Sequence, residues 1–380
     1  LERDNQGRVE DLVPIRYGRM AANPFAFFRG SASVMAFDLA NTPSTGLKMQ
    51  ICGDCHLLNF GGFATTERKI IFDIIDFDET SIAPWEWDVK RLAASFVIAG
   101  RYNGFSQEDC RAAARQAALS YRLSVANYAS MPVLQAWYDA LDMEQIIANI
   151  TNKQMKAFYS KKLQSAKSQS EHEKEYAKLA YAAGDSPRII DHPPLIFHYD
   201  DTRTDQFRAQ VERVISDYLS SLAPERRVLL SRFKLADTAL KVVGVGSVGT
   251  FCGIALFISG NGDPLFLQFK QAGQSVLEPY AGPSSYSHPG QRVVVGQRLM
   301  QAAGDMFLGW FTGSGDMNNK FYMRQLRDVK IKPVVELMKA ASLINYAGLC
   351  GQALARAHAR SGDAAILAGY MGKSSRFEDS

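Results

Sequence analysis

Two short stretches of the chain carry residue types that suit phosphoryl transfer from a nucleotide. The first is GDCHLLNFG at 53–61, and the second is FDIIDFDET at 72–80. Transfer to a hydroxyl needs a carboxylate that accepts the hydroxyl proton, an Asn nearby for one metal ion and a later Asp for another. Asp54, Asn59 and Asp76 supply these groups in that order. The two stretches therefore predict a catalytic base and a Mg²⁺ site, with Asp78 as a further candidate ligand.

A glycine-rich segment later in the chain is a candidate for holding nucleotide phosphates. Gly244, Gly246 and Gly249 follow the GxGxxG spacing, and Ser247 lies between the last two. Dinucleotide enzymes start a helix within this motif, whereas the apolar runs TFCGIALFIS and PLFLQFK that follow here indicate two strands. Glycines let backbone N–H groups approach phosphates, which a lysine neutralises. We predict a phosphate-binding hairpin followed by a strand ending in Lys270; a plain flexible turn is the alternative.

This set of motifs resembles the protein-kinase superfamily, and within it the aminoglycoside and choline phosphotransferases. The stretch GDCHLLN is similar to their HGDxHxxN motif, and IIDFD is similar to their IDF-type motif. The resemblance implies that ATP is the donor, that Asp54 is the base, and that Asn59 and Asp76 bind Mg²⁺. Asp78 is then a second ligand or a solvated neighbour. The chain departs from the pattern at Cys52, where those enzymes often have His.

Two further residues are expected to support the catalytic loop. His56 is expected to orient the loop, which is the usual role of a lone buried histidine. The segment APWEWD ends in Asp88. In the related phosphotransferases, an Asp in this segment starts a long helix and bonds back to the catalytic loop. By that resemblance, Asp88 takes the same supporting role.

The remaining parts of a kinase-like nucleotide site are less clearly marked. The glutamate that pairs with the strand lysine is placed at Glu278, because the better helix, GQRVVVGQRLMQAAGD, has Val295 where a Glu is expected. Otherwise Lys270 is held in a different way. In FYMRQLRD, Gln325 and Leu326 are expected at the connection between lobes that meets adenine, with an ordinary strand end as the alternative.

The order of these parts implies a rearranged fold. Kinases place the glycine loop and its lysine before the catalytic loop, whereas this chain has the catalytic loop first. The resemblance therefore implies a circularly permuted, two-lobed α+β fold with an antiparallel β lobe and a mainly helical lobe. A final helix at 334–358 would stand where the helix preceding the catalytic loop normally stands. Termini close together at a surface make such a permutation physically reasonable.

The whole chain is identified as a member of the bacterial domain-of-unknown-function family 2252, a permuted kinase-like family. The matching stretches include PIRYGRM, PFAFFRG, PWEWDVKRLAAS, VGVGSVGT and ALARAHARSGDAAILAGYMG, and they extend from position 14 to 372. The resemblance implies the fold and assigns no substrate.

Four regions differ in pattern. Residues 1–105 form the catalytic-loop part of the helical lobe, and 106–232 are a mainly helical part of it with a possible acceptor site. A helix is expected to begin after a cap at Ser106. Residues 233–330 are rich in strands and form the nucleotide-binding lobe, and 331–380 return to the helical lobe. The runs LKMQICG and KIIFDIIDF are expected to be strands around a turn.

Composition excludes several classes of protein. The chain has 43 basic and 39 acidic residues, a net charge of +4, and no dense basic block of the kind that binds nucleic acid. The uncharged run at 242–260 contains five glycines, which argues against a membrane helix. Five scattered cysteines favour a reducing cytoplasm. Cys52 and Cys55 form a CxxC that is either a zinc or redox motif or, in our interpretation, two small buried residues beside a turn.

The sequence leads to three functional hypotheses. The first is an ATP- and Mg²⁺-dependent phosphotransferase acting on a small-molecule or protein hydroxyl; a variant of it transfers AMP. The second is a nucleotide-binding pseudokinase with a regulatory role, which the missing helix glutamate favours. The third is a dinucleotide enzyme, which would require a helix from Ser247 onward. Arg16, Arg19 and Arg29, in an N-terminal segment rich in aromatic residues, either grip an acidic substrate or are surface arginines of a packed helix. Oligomeric state is not indicated.

Overall fold

The structure, a computed structural model, describes residues 1–167, 176, 179–183, 186–198, 201–242, 244–246, 248–313, 319–326 and 331–380. Within these residues, helices are combined with antiparallel sheets, which confirms the α+β class. The largest hydrophobic core lies around the strands of the two catalytic stretches and the long helices that cover them. A second core lies on one face of the largest sheet.

The first 105 residues contain both catalytic stretches. Their elements are α1 (Val13–Ala21), α2 (Pro24–Gly30), α3 (Ala32–Ala40), β1 (Lys48–Ile51), β2 (Phe60–Ala64), β3 (Ile70–Ile74), β4 (Ser81–Pro84) and α4 (Glu86–Tyr102). Strand β1 pairs with β4, and β2 pairs with β3. Both expected strands exist, but they lie in different sheets. The partner of β3 is the adjacent FGGFA, whose two glycines gave it little strand character in the sequence.

A helical region follows. It contains α5 (Gln107–Ser130), α6 (Val133–Tyr138), β5 (Leu141–Asp142), α7 (Met143–Ala148) and α8 (Lys153–Lys167). The predicted cap of α5 is confirmed, because the Ser106 side chain accepts a hydrogen bond of 3.0 Å from the N–H of Asp109. The short strand β5 extends the β2–β3 sheet.

The next elements include a separate two-stranded sheet and an edge strand of the largest sheet. They are β6 (Ala180–Ala183), β7 (Ser186–Ile189), β8 (Ile196–Phe197), α9 (Asp201–Ser220) and α10 (Pro224–Leu230). Strands β6 and β7 form the separate sheet, and β8 is the edge strand. In α9, Val211, Val214 and Tyr218 are buried in the second core, and Asp217 accepts a 2.6 Å hydrogen bond from the N–H of Thr312. The helix therefore packs on the sheet, although the sequence analysis places it in the helical lobe. Its apolar face fits either surface, and sequence alone does not choose between them.

The nucleotide-binding region predicted from 233 onward is built around one sheet. Its elements are β9 (Phe233–Lys241), β10 (Cys252–Ser259), β11 (Pro264–Gln271), α11 (Glu278–Ala281), α12 (Pro289–Met300), β12 (Gly309–Thr312) and β13 (Lys320–Gln325). The strand order among the described residues is β12-β13-β11-β10-β9-β8, with every neighbouring pair antiparallel. The glycine motif thus connects two antiparallel strands, β9 and β10.

The last helices return to the largest core. They are α13 (Ala340–Ser361), α14 (Ala364–Met371) and α15 (Arg376–Asp379). Helix α13 buries a long face that includes Tyr346, Gly351 and Leu354, and it lies against α5 and β3. In the part of the chain that the structure describes, no helix has the length and apolar character needed to span a bilayer.

Candidate active site

The loop of the first catalytic stretch is held at both ends by buried side chains. Asp88, in the first turn of α4, accepts hydrogen bonds from the N–H groups of Cys52 (2.8 Å) and Gly53 (3.0 Å). Gly53 has φ +84°, and a side chain there would meet the carbonyl oxygen of Glu79 at 2.2 Å. Glycine is therefore required at this position. Asp88 thus fixes the backbone immediately before Asp54.

Two more side chains fix the far end of the loop. Ser95 of α4 accepts a hydrogen bond of 3.1 Å from the N–H of Leu57, and Tyr346 of α13 donates one of 2.6 Å to the carbonyl of the same residue. All three are buried. Helix α13 therefore helps to position a loop that lies nearly three hundred residues earlier in the sequence.

Asp54 is only partly buried in this loop. Its side chain is 24% exposed, and its Oδ1 accepts a 2.6 Å hydrogen bond from Nε of Arg91. His56 lies 3.9 Å from the other carboxylate oxygen. Burial, together with Arg91, Arg29 and Lys332, holds the pKa of His56 well below its usual range, so the ring is neutral. Asp54 is therefore oriented by Arg91 and keeps one oxygen accessible.

Asn59 and Asp76 lie side by side. Asn59 donates through Nδ2 to the carbonyl of Asp54 (2.7 Å), and its own carbonyl accepts from the N–H of Ile75 (2.8 Å). Its side-chain oxygen accepts no hydrogen bond from the described residues. The carboxylate of Asp76 accepts one long hydrogen bond of 3.4 Å, from the N–H of Asp78. Burial and the charge of Asp78 raise the pKa of Asp76, although the positive charges of Lys270 and Arg324 act to lower it.

Asp78 and Lys270 form an ion pair that joins the catalytic stretch to the sheet. Lys270 Nζ lies 2.6 Å from Oδ2 of Asp78, and the hydroxyl of Tyr322 donates to Oδ1. Burial would lower the pKa of Lys270, but Asp78, Tyr322 and Asp76 together raise it well above its usual range. Both oxygens of Asp78 already have protein donors. Asp78 is thus the ion-pair partner of Lys270, and its role as a further metal ligand stays a prediction.

Glu278 does not contact Lys270. Its carboxylate accepts from the N–H of Ser275 (2.9 Å) and lies 3.8 Å from Nε of Arg292. The expectation that Glu278 pairs with the strand lysine is corrected, because α11 points this carboxylate at Arg292. The alternative in the sequence analysis, that Lys270 is held differently, describes the structure.

Arg292 is a buried residue that the sequence analysis missed. It lies on α12, the helix without a glutamate, and donates to the carbonyls of Thr80, Asp78 (2.9 Å) and Gly273 (3.0 Å). It thereby ties the helix to the backbone just after Asp76. The sequence signal that could have identified Arg292 is an arginine directly before the apolar run VVV in GQRVVVG.

A cavity of about 80 Å³ lies between the second catalytic stretch and the sheet. The residues around it are Asn59, Gly62, Phe63, Ile75, Asp76, Gln268, Arg324, Gln325 and Lys332. It thus brings the two predicted metal ligands together with two cations. Gln325 lines the cavity. Leu326 does not, and its N–H bonds to the carbonyl of Phe266 at 2.9 Å. The expected contact of these two residues with adenine stays a prediction.

Strand geometry explains the lining residues that were missed. Gln268 and Lys270 are two apart on β11, and they pair with Arg324 and Tyr322 of β13, so all four share one face. The alternation of side chains between the two faces of a strand could be read from the sequences PLFLQFK and KFYMRQ. Lys332 carried no such signal, because it lies outside any strand or helix and so belongs to no periodic pattern.

The glycine loop is covered by the N-terminal segment. Gly244 and Gly249 have φ +70° and +87°, a conformation that favours glycine. Arg19 donates to the carbonyl of Gly244 (2.7 Å), Arg8 to that of Val248, and the N–H of Val9 to that of Gly249 (2.8 Å). Ser247 lies outside the described residues. The hairpin removes the dinucleotide alternative, which required a helix here.

The CxxC motif is buried behind the catalytic loop. Ligand-type atoms of Cys52, Cys55 and Asp88 all lie within 4.8 Å of one another. Burial raises the pKa of both thiols, that of Cys55 to about 11. Zinc binding and redox chemistry use thiolates, so this geometry favours two packed thiols.

Comparison with protein families identifies one match over residues 8–380, the family described as "uncharacterized protein conserved in bacteria", domain of unknown function 2252. The chain belongs to this family. Comparison with curated proteins and with solved structures finds no match.

Proposed function

We propose that this member of family 2252 is an ATP- and Mg²⁺-dependent phosphotransferase that acts on a small-molecule or protein hydroxyl. One observation carries the proposal. Asn59 and Asp76, residue types that bind Mg²⁺, share a cavity with the cations Arg324 and Lys332, next to the accessible carboxylate of Asp54. Phosphoryl transfer depends on this combination of a base, metal ligands and fixed positive charge.

The arrangement of elements supports a permuted kinase-like fold. In chain order, the second half has a glycine hairpin (β9–β10), a lysine strand (β11), a helix (α12) and two further strands (β12 and β13). This is the order of parts in the nucleotide lobe of kinases. Helix α13 then packs against the loop at 53–59, as the Tyr346–Leu57 hydrogen bond illustrates. A permutation whose new termini fall between that helix and Asp54 accounts for this layout.

The donor set fits a hard divalent cation. Asp76 is a carboxylate with one weak hydrogen bond, and its pKa is raised because it is buried beside a second carboxylate. An oxygen-binding cation relieves that repulsion, and the side-chain oxygen of Asn59 is a second ligand of the required type. When bound, Mg²⁺ neutralises charge on the phosphate oxygens. The glycine loop, Lys270 and Gln325 are then candidates for contacts with ATP.

In the proposed reaction, the acceptor hydroxyl oxygen attacks the γ-phosphorus of ATP. The new O–P bond forms while the bond from phosphorus to the bridging oxygen breaks, and that electron pair leaves with ADP. Asp54 accepts the hydroxyl proton. Arg91 holds Oδ1 of Asp54, so Oδ2 is the oxygen available to the acceptor. Asp88 keeps Asp54 in place through the backbone N–H groups of Cys52 and Gly53.

One observation favours a regulatory pseudokinase as the second candidate. Lys270 is neutralised by Asp78, and α12 offers an arginine in place of the usual glutamate. Phosphates must then compete with Asp78 for the lysine. A pseudokinase binds nucleotide without transferring phosphate, and product analysis separates the two candidates. A product that gains adenylate instead of phosphate would identify AMP transfer.

The first test is calorimetric titration of ATP and ADP, with and without Mg²⁺, into the wild type and two variants. Metal-dependent ATP binding is expected, and Asp76→Asn should weaken it at least about tenfold, since the carboxylate charge is lost while the shape is kept. Asp54→Asn is the matched control from the same site and should bind normally, because Asp54 acts only on the acceptor. A folded wild type that binds neither nucleotide would refute the proposal.

A further inference from the structure

The C-terminal end of helix α2 lies between the predicted catalytic loop and the glycine loop and contacts residues on both sides. The carbonyl of Phe28 accepts a 3.0 Å hydrogen bond from Arg91, which also holds Asp54, and the Arg91 guanidinium stacks on the Phe28 ring at 4.3 Å. On the other side, a Cβ on Gly246 would lie 3.3 Å from the carbonyl oxygen of Arg29. The backbone of Arg29 is thus in contact with both halves of the proposed site.

The neighbouring residue is fixed as well. The carbonyl of Gly30 accepts a 3.0 Å hydrogen bond from Arg16, a buried arginine of α1. A Cβ on Gly30 would overlap the Met20 side chain at 2.5 Å, so α1 and α2 are packed too closely here for any larger residue. The position of Arg29 is therefore set by contacts on each side of it.

The side chain of Arg29 lacks a partner among the described residues. Its Nε is buried without a hydrogen bond, as is that of Arg16, but Arg16 and Arg19 donate through other guanidinium nitrogens to the carbonyls of Gly30 and Gly244. Burial lowers the pKa of Arg29, while the charges of Asp54 and Asp76 act in the opposite direction. A buried donor without an acceptor costs free energy, and a ligand that accepts a hydrogen bond from it would offset that cost.

We infer that Arg29 is a catalytic arginine supplied in cis, which donates hydrogen bonds to the phosphoryl group during its transfer. The inference rests on the proposed function. A phosphoryl group in transit must lie between Asp54, which binds the acceptor, and Asp76, which binds the metal. Arg29 is a cation whose side chain has no hydrogen-bond partner among the described residues, whose charge interacts with both carboxylates, and whose backbone lies against the glycine loop.

The chemistry of the step explains why an arginine is useful there. In a loose transition state, negative charge spreads over the three equatorial oxygens of the transferred group. A planar guanidinium matches two of these oxygens at once, which an ammonium group does not. Arginines that act in this way accelerate transfer about 10³–10⁵-fold. Because the N-terminal segment also binds the glycine loop, it would position the donor and Arg29 together.

The test uses a transition-state mimic and does not need the unidentified acceptor. Binding of MgADP is measured by calorimetry with and without aluminium fluoride, in the full-length wild type, Arg29→Ala and Arg29→Lys. Transition-state analogues bind at least about 10²-fold more tightly than ground-state ligands. We expect aluminium fluoride to tighten MgADP binding in the wild type, and Arg29→Ala to lose most of this gain while its affinity for MgADP alone is unchanged.

Arg29→Lys separates geometry from charge and remains informative if the alanine variant does not fold. It should recover only part of the gain. Arg3→Ala, at an exposed arginine of the same N-terminal segment, is the matched control and should keep the full gain.

Two outcomes would overturn the inference while leaving the nucleotide site intact. One is a full aluminium fluoride gain in Arg29→Ala, which would place Arg29 on the acceptor or outside the reaction. The other is normal MgADP binding by the wild type with no gain at all. Absence of MgADP binding in the wild type is a different result, because it refutes the proposed function itself.

Discussion

At the scale of single residues, the buried pair Arg356–Asp73 bears most directly on the site. Both side chains are fully buried, and Arg356 Nη2 lies 2.7 and 2.8 Å from the two oxygens of Asp73 and 2.7 Å from the carbonyl of Met300. Asp73 lies on β3, three residues before Asp76. The pair therefore joins α13 and the end of α12 to the strand that directly precedes the proposed metal ligand Asp76.

Removal of this arginine should destabilise the protein strongly. Arg356→Met leaves the carboxylate of Asp73 buried without its cation, and loss of one partner of a buried pair costs about 3–5 kcal/mol. Urea denaturation provides the measurement. Arg115→Met is the matched control, because the Arg115–Asp379 pair is about half exposed and such pairs contribute little. Similar losses in the two variants would contradict this account.

Sequence spacing predicted the contacts within the catalytic loop better than those across the site. Asp54 and Asn59 are five residues apart in one loop, so short-range geometry keeps them together, as the Asn59–Asp54 hydrogen bond shows. The ion-pair partner of Lys270 was harder to predict, since it lies 192 positions away in the sequence. Asp78 and Glu278 were both eligible acids, and only the packing of α11 selects between them.

At the scale of elements, the contact between α13 and α5 depends on one glycine. A Cβ at Gly351 would lie 2.2 Å from the backbone oxygen of Ala117, so the two helices approach as closely as backbone allows. Gly348 is one turn earlier, and a Cβ there would meet side-chain ends of Ser120 and Gln116 at 3.1 and 3.2 Å. The same residue type therefore has different consequences at neighbouring positions.

We predict opposite results for alanine at these two glycines. Gly351→Ala should force the helices apart and cost at least about 1–3 kcal/mol, the usual range for overpacking. Gly348→Ala should be neutral or slightly stabilising, because flexible side chains can move and alanine favours a helix by about 1 kcal/mol over glycine. Thermal unfolding monitored by circular dichroism compares the two. Equal destabilisation would show that helix approach is not limiting.

The existence of individual strands and helices was easier to predict than which elements pair with each other in the fold. The apolar runs on β9, β10 and β11 and the Ser106 cap of α5 are local signals, and each corresponds to an observed element. Pairing was not local. Strand β1 pairs with β4, whose sequence SIAP is four residues long and ends in proline, so it carries little β signal of its own.

At the scale of the whole molecule, His198 links the segment between the helical region and the sheet to strand β9 by hydrogen bonds. His198 lies between two carboxylates, with Nδ1 2.8 Å from Asp191 and Nε2 3.1 Å from Asp237 of β9. Asp237 also accepts the N–H groups of Ile189 (2.7 Å) and Thr238 (2.9 Å). Both ring nitrogens face acceptors, so the doubly protonated imidazolium is the form that fits.

This arrangement should make the stability of the molecule depend on pH. The hydrogen bond to Asp237 raises the pKa of His198 despite burial, and His198 in turn helps to lower that of Asp237. A raised histidine pKa contributes stability that is complete below the unfolded value of about 6.5 and is lost as pH rises through the folded value. Because the pKa of Asp237 is lowered, its carboxylate stays charged at pH values well below the unfolded histidine pKa.

His198→Gln should therefore reduce the free energy of unfolding by about 1.5–3 kcal/mol at pH 5.5, as for hydrogen bonds to charged groups, and by clearly less at pH 9. Urea denaturation at the two pH values tests this, with His192→Gln as the exposed control. An equal loss for His198→Gln at both values would mean that the ring contributes through packing, because only a charged interaction disappears when the imidazolium loses its proton.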